Sequence, residues 1–410
     1  MKVWFKYLIG IILGIIFTLV AGSDNEIFLN VSNFLTELAL RIGRYMAYPI
    51  LFFGFALGIY NLIESKRVGR LLLFCFVFSL AAALLFSILG IVSFFIANPS
   101  RIPISVENAE VLPHLSVADF LLGAFPSSPF LSFTDALFML PICVFAFFAG
   151  IGAASIEKQF SRHTLTLFDS LARVSYSVLV LFVDFFAIFM IALSISWTIK
   201  FRAMLTIGFF TDLILLLVID MLLIFFGVFP LIIKLSCREV NPYRVVFAAF
   251  APFLMAFFSG DAHATFVTNL RHCHESLGIR RRISNVATPL LTIFAKPGTA
   301  LVLSTSFLLI FKAYSGGSIG FQNLLLLLLL SSAFSFLLSR FPIEGVYIAL
   351  AGICMFFGSV YEQGYLILKP AIFFIAAVAT AIDTFAAMVG SYILAYHEDM
   401  MMEKDMRFFI

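Results

Sequence analysis

The chain of 410 residues is 62% hydrophobic and only 12% charged, with a mean hydropathy of +1.09, a composition foreign to soluble domains. It excludes a soluble enzyme and a nucleic-acid binder; at about 20 apolar residues per crossing, the length leaves room for roughly eight membrane spans plus shorter inserted pieces. The net charge of +3 is small, and the basic residues sit in loops between apolar runs, where they report orientation rather than an acidic partner.

The opening MKVWFKYLIGIILGIIFTLVAGS has the basic start and apolar stretch of a signal peptide. Residues 7–23 are also long enough to begin a polytopic protein, and we read them as a retained first helix. Runs between charges then place spans at 45–63, 71–97, 136–156, 174–199, 203–233, 283–311 and 370–397. All are expected to be α-helical, because lipid leaves backbone groups no water to bond. Two regions break the pattern. Residues 245–260 and 262–270 are apolar but short, divided at Ser259-Gly260-Asp261. Residues 321–338 and 345–361 are divided by Ser339-Arg340-Phe341-Pro342-Ile343-Glu344, a polar, proline-containing stretch that a continuous helix does not carry. Paired, interrupted apolar segments predict two re-entrant hairpins, near 245–275 and 321–361, whose helix ends meet at a buried site.

Lys and Arg counts orient the chain. With the N terminus inside and each hairpin returning to the side it left, the internal loops hold Lys2, Lys6, Lys66, Arg67, Arg70, Lys158, Arg162, Arg173, Lys234, Arg238, Arg244, Arg271, Arg280, Arg281 and Arg282. The external loops hold only Arg41, Arg44, Arg101, Lys200, Arg202, Lys312 and Lys369. The excess predicts cytoplasmic N and C termini in a plasma (inner) membrane.

The five cysteines have no CxxC spacing, so neither a disulfide framework nor a zinc site is expected, and no metal or cofactor is implied. His272-Cys273-His274 lacks a fourth ligand at sensible spacing and reads as a surface cluster. Ionisable groups inside apolar runs are costly, roughly 2.5–3.5 kcal/mol at a helix centre, and mark function by default. They are Asp184, Asp212, Asp220, Lys296 and Asp383. Asp184 reads best as a hydrogen-bonded group within the helix packing. Asp212 and Asp220 are eight residues apart, on one helix face, and serve as proton carriers or as caps. His263 at the first hairpin tip is a candidate proton carrier. Arg340 at the second tip either meets an anionic solute or snorkels to water.

The stretch IRRRISNVATPLLTIFAKPGTALVLS at 279–304 resembles the seventh helix of the dicarboxylate/amino acid:cation symporter family, the glutamate transporter fold, whose helix break reads N-M-D-G-T where this chain has Ala295-Lys296-Pro297-Gly298-Thr299. RYMAYPILFFGFALGIYNLIESKRVGRLL at 44–72 and LGIVSFFIANPS at 89–100 are similar to its second and third helices, and AIDTFAAM at 381–388 to the start of its eighth. The resemblance implies eight transmembrane helices plus two re-entrant hairpins, assembled as a homotrimer working as an elevator. It divides the chain into a scaffold, 1–70 and 119–201, and a transport domain, 71–118 and 202–410.

The family's functional positions carry over unevenly. Asp383 matches the first aspartate of the eighth helix. The aspartate that holds a substrate amine falls on Ala387, the arginine that pairs a side-chain carboxylate on Gly390, a sodium-site asparagine on Leu394, and the last sodium-site aspartate on Glu398. Sodium ligands of the seventh helix fall on Ala295 and Pro297, while the third helix has Ser79, Ala82 and Ala83 in place of a tyrosine and a Thr-Ser pair. The serine-rich first tip becomes Asp261-Ala262-His263-Ala264-Thr265, and a threonine of the second hairpin becomes Leu338. Besides Asp383, only Thr299, Gly298, Pro342 and Gly345 match. By resemblance, Asp261, Ala262, His263, Thr299, Arg340, Pro342, Gly345, Ala387 and Gly390 would line the substrate site, and Lys296, Asp383, Glu398 and His263 would carry coupling.

Replacing hard oxygen ligands by Ala, Pro and Leu removes most of what sodium needs. The expectation is therefore a secondary active or facilitative transporter of a small polar or carboxylate-bearing solute, without sodium sites or acidic amino acid specificity and with proton coupling open. Lys296 would be a tethered cation reaching Asp383 or Glu398. The alternative is a non-transporting membrane protein on the same fold: lipid-handling, scaffolding, or an intramembrane enzyme, for which no nucleophile–base spacing is found.

Overall fold

A computed structural model describes residues 2–21, 26–104, 116–134, 138–315, 319–338, 341, 345–402 and 404–410. Among them there is no strand beyond one isolated bridge between Ile279 and Met401. Helix follows from composition: long apolar runs in lipid must satisfy every backbone group internally.

The helices are α1 (Val3–Ala21), α2 (Glu26–Glu64), α3 (Val68–Ala97), α4 (Val117–Ala124), α5 (Leu131–Thr134), α6 (Leu140–Ser155), α7 (Lys158–Ile207), α8 (Thr211–Leu223), α9 (Phe229–Ser236), α10 (Tyr243–Ser259), α11 (Ala262–Glu275), α12 (Arg281–Phe294), α13 (Pro297–Ser315), α14 (Phe321–Leu337), α15 (Gly345–Phe356) and α16 (Ile372–His397). A π-helical turn, Ile224–Val228, joins α8 to α9. Seven helical stretches among the described residues are long and apolar enough to cross a membrane. The run expected to span at 136–156 yields the 16-residue α6, short of that length. Two elements outrun their sequence boundaries. The helix assigned to 45–63 starts at Glu26, and the one assigned to 174–199 occupies Lys158–Ile207. In both cases a polar amphipathic segment, which charge alone reads as loop, continues the apolar helix.

Packing separates two groups of helices. α7 lies against α1 and α2, and α6 packs on α2 and touches α7, with Phe52 of α2 between Phe145 and Phe168. α16 is the hub of the second group, packed against α10, α12 and α13, while α3 lies along α13 and α14. The apolar stretches within Arg281–Ser315 and Gly364–His397 are 94% and 89% buried, against 33% for Val3–Val20. The core therefore sits around α12, α13 and α16, and the outer helices turn their apolar faces to lipid. Between the groups, α2 meets α11 and α12 along a line of glycines. A Cβ on Gly43 would lie 2.9 Å from the Ala264 Cβ, and one on Gly58 2.5 Å from a Val286 methyl.

Candidate functional site

The seventh-helix break is real. α12 stops at Phe294, Ala295 is extended, and Pro297, with no N–H to bond backwards, opens α13. The new helix start is capped from α16: Asp383 accepts from the Thr299 N–H at 3.1 Å and from its hydroxyl at 2.7 Å. A carboxylate at a helix N terminus is favoured by the backbone dipole as well as by these bonds. Gly298 permits the approach, since a Cβ there would lie 2.5 Å from the Ala379 carbonyl oxygen and 2.6 Å from the Ile382 Cβ. Lys296 occupies the break itself and is 7% exposed. It lines the same cavity as Asp383. Among the described residues no acid stands within ion-pair distance of it.

Hairpin one places its tip beside this break. Gly260 ends α10 in the left-handed region, at φ +63°, and Asp261 caps α11, its Oδ1 accepting the N–H groups of His263 at 2.8 Å and Ala264 at 3.2 Å. Thr380 of α16 holds the turn through the Gly260 carbonyl at 3.3 Å. The second carboxylate oxygen of Asp261 accepts from Arg44 of α2 at 2.7 Å; the two side chains are 0% and 9% exposed. This ion pair was missed from sequence, where Arg44 was counted among the external residues near a helix start. The Glu37–Arg41 pair, spaced i,i+4 and 2.7 Å apart, was the available signal that the helix already runs there.

Ala262, His263, Lys296, Thr299, Asp383 and Gly345 close around one cavity of about 20 Å³, completed by Leu338, Phe341, Val346, Ala376 and Thr380. Such a volume holds about one water molecule. His263 is 2% exposed, and its Nδ1 has no partner among the described residues.

Other expected site residues lie elsewhere. Ala387 and Gly390 are sealed in the core; a Cβ on Gly390 would lie 2.8 Å from the Phe78 ring and 2.9 Å from a Leu291 methyl. Glu398 is fifteen residues beyond Asp383, about 22 Å along α16, and pairs with Arg67 at 3.0 Å and Arg70 at 3.4 Å. It is therefore not a partner of Lys296, as had been expected. Arg340 and Pro342 lie outside the described residues. Asp184 binds Lys6 at 2.7 Å and Arg271 at 3.3 Å, within the helix packing as read from sequence. Asp212 accepts from the Ser100 N–H and Asp220 from the Ser93 hydroxyl, each at 2.8 Å, and neither lines the cavity. The surface reading of His272, Cys273 and His274 is wrong: they are 1%, 0% and 9% exposed. α11 buries them because its polar residues face α12 and α7 rather than water, with His274 bonded to Ser284 and its ring tilted 31° against that of Tyr176.

Residues 3–396 match the model of the sodium:dicarboxylate symporter family. A search of the curated proteins finds no match.

Proposed function

The chain belongs to the sodium:dicarboxylate symporter family, a family of membrane transporters, and from this premise we propose that it carries a small polar or carboxylate-bearing solute without sodium. The observation that carries this reading is Lys296. It brings an amine, 7% exposed, to the helix break, on the wall of the same small cavity as Asp383 and the first hairpin tip. A tethered ammonium there does electrostatically what a bound cation would do: it offsets the buried carboxylate of Asp383, Asp261 being already paired with Arg44. It also offers a donor to a solute carboxylate. The small cavity is an occluded state, and solute enters when the second hairpin, represented by Leu338, Phe341 and Gly345 at the cavity wall, swings away.

In this reading residues 1–70 and 119–201 are the scaffold of a homotrimer, and 71–118 with 202–410 move as an elevator. The two packing groups and the glycine line on α2 support such a division. Both termini lie in the cytoplasm in this reading, which the Lys and Arg bias supports. His263, Lys296 and Asp383 are the groups through which proton coupling would run.

The test is uptake into proteoliposomes of a panel of labelled mono- and dicarboxylates, in sodium or choline, with and without a pH gradient. Uptake equal in both cations and lost in Lys296→Met, which keeps the stem and removes the charge, is expected. Uptake that requires sodium, or that survives unchanged in Lys296→Met, refutes the tethered cation.

A further inference from the structure

At the end of the bundle where α12 begins, a cavity of about 750 Å³ opens between α2 and α7 on one side and the α11–α12 turn with the C-terminal tail on the other. Arg173, Arg280, Arg281, Arg282 and Lys404 line it against two acids, Asp169 and Glu275. Both acids are already engaged. Asp169 pairs with Arg173 at 2.9 Å; Glu275 takes Arg271 at 3.1 Å and the Tyr176 hydroxyl at 2.9 Å. The tail is fixed as a wall: Met402 donates its N–H to the Gly278 carbonyl at 2.9 Å, and the Lys404 ammonium reaches the Glu275 carbonyl at 2.8 Å.

Arg280, Arg281 and Arg282 remain exposed. Among the described residues no acid lies within ion-pair distance of any of them, and Arg281 lies over the Tyr176 ring, 4.8 Å from its centroid. They stand at the N terminus of α12, a 14-residue helix whose first turn receives no side-chain cap. One turn further on, Asn285 lines the same cavity while only 7% exposed, and its amide oxygen has no partner among the described residues. The two ends of such an amide interchange by a half turn, so it has a donor to give. In that orientation a buried N–H2 without a partner costs free energy, which an occupant bearing acceptor oxygens would recover.

We propose that this cavity binds a phosphate-bearing anion. Guanidinium groups and a helix N terminus are the two devices proteins use for phosphate oxygens, and here they converge with a buried amide. The volume lies in the range of small-ligand pockets and far exceeds a single phosphate, so the ligand carries either several phosphates or a larger body. Its source is a soluble phosphoanhydride or the headgroup of an anionic lipid. Because the walls come from α2 and α7 and equally from α11 and α12, the occupant bridges the two packing groups.

The full chain in phosphatidylcholine nanodiscs is titrated with inorganic pyrophosphate and with ATP at constant ionic strength, following melting temperature. A parallel arm adds phosphatidylglycerol to the discs without soluble ligand. A saturable rise with pyrophosphate or ATP, at least tenfold weaker in Arg280→Gln/Arg282→Gln and unaltered in Arg238→Gln outside the cavity, is expected for a soluble ligand. A rise only with phosphatidylglycerol, lost in the same double variant, identifies the lipid source. No saturable response in either arm, an equal response to sulfate or chloride, or an undiminished response in the double variant overturns the proposal.

Discussion

Replacing Arg44 by methionine should be costly, and the cost should disappear when Asp261 is neutralised as well. In Arg44→Met the Asp261 carboxylate, 0% exposed, loses the one ion-pair partner it has among the described residues. Stranding a buried charge in this way costs about 3–5 kcal/mol. The residual bonds from His263 and Ala264 and the α11 dipole place the loss near the lower end, at about 3 kcal/mol. With an unfolding entropy of about 2.1 cal/mol/K per residue, 410 residues give roughly 0.9 kcal/mol/K, and the melting temperature should fall by about 3 °C. In Arg44→Met/Asp261→Asn the amide oxygen still caps α11 and no charge is stranded, so stability should return to within about 1 kcal/mol of the parent. Intrinsic-fluorescence melting of the purified chain reads this, with Trp197 packed against Phe257 and Phe258 of hairpin one as reporter. A single variant that melts with the parent, or a double variant as unstable as the single one, refutes the argument that the pair is buried and mutually dependent.

Gly298→Ala should destabilise by about 3 kcal/mol, because the new methyl meets the Ala379 carbonyl and forces α13 off α16; unimpaired melting would contradict the crossing. Thr299→Val removes the hydroxyl donor to Asp383 and keeps the N–H, for an expected loss of about 1–3 kcal/mol, measured the same way. Glutamate and aspartate should give no calorimetric signal in the parent. Gly390→Arg should not create one, since its side chain would start inside the Phe78 and Leu291 contacts; micromolar binding in either would refute the placement of α16.

What the sequence revealed and what it hid follow the range of the interactions. Hairpin one was legible because its tip is local chemistry: Gly260 takes the left-handed turn and Asp261 caps the helix after it. The break at Ala295-Lys296 was legible through the resemblance to the seventh helix and not from Pro297 alone, since Pro49, Pro252 and Pro289 all lie inside helices. Arg44 and Asp261 are 217 residues apart, and no spacing rule relates them. Glu398 was placed at the site by its match in the eighth helix. Its salt bridges to Arg67 and Arg70 depend instead on where the α2–α3 turn comes to rest. His272 and His274 looked exposed because polar residues usually are; only the packing of α11 against α12 and α7 buries them.

α7 has a consequence for the lipid around it. Its 50 residues reach about 75 Å, far beyond a hydrocarbon layer of about 30 Å. The polar stretch from Lys158 to Arg173 therefore stands out of the membrane as a stalk, moored to α2 by Lys158 and Glu64 at 2.7 Å. Arg173 and Tyr176 at the foot of that stalk belong to the wall of the basic cavity. A thicker bilayer draws such a helix upright and a thinner one lets it lean, moving that wall relative to α12. Membrane thickness thus becomes a mechanical input to the end of the bundle where α12 begins, and bilayers of different acyl length should read out differently there.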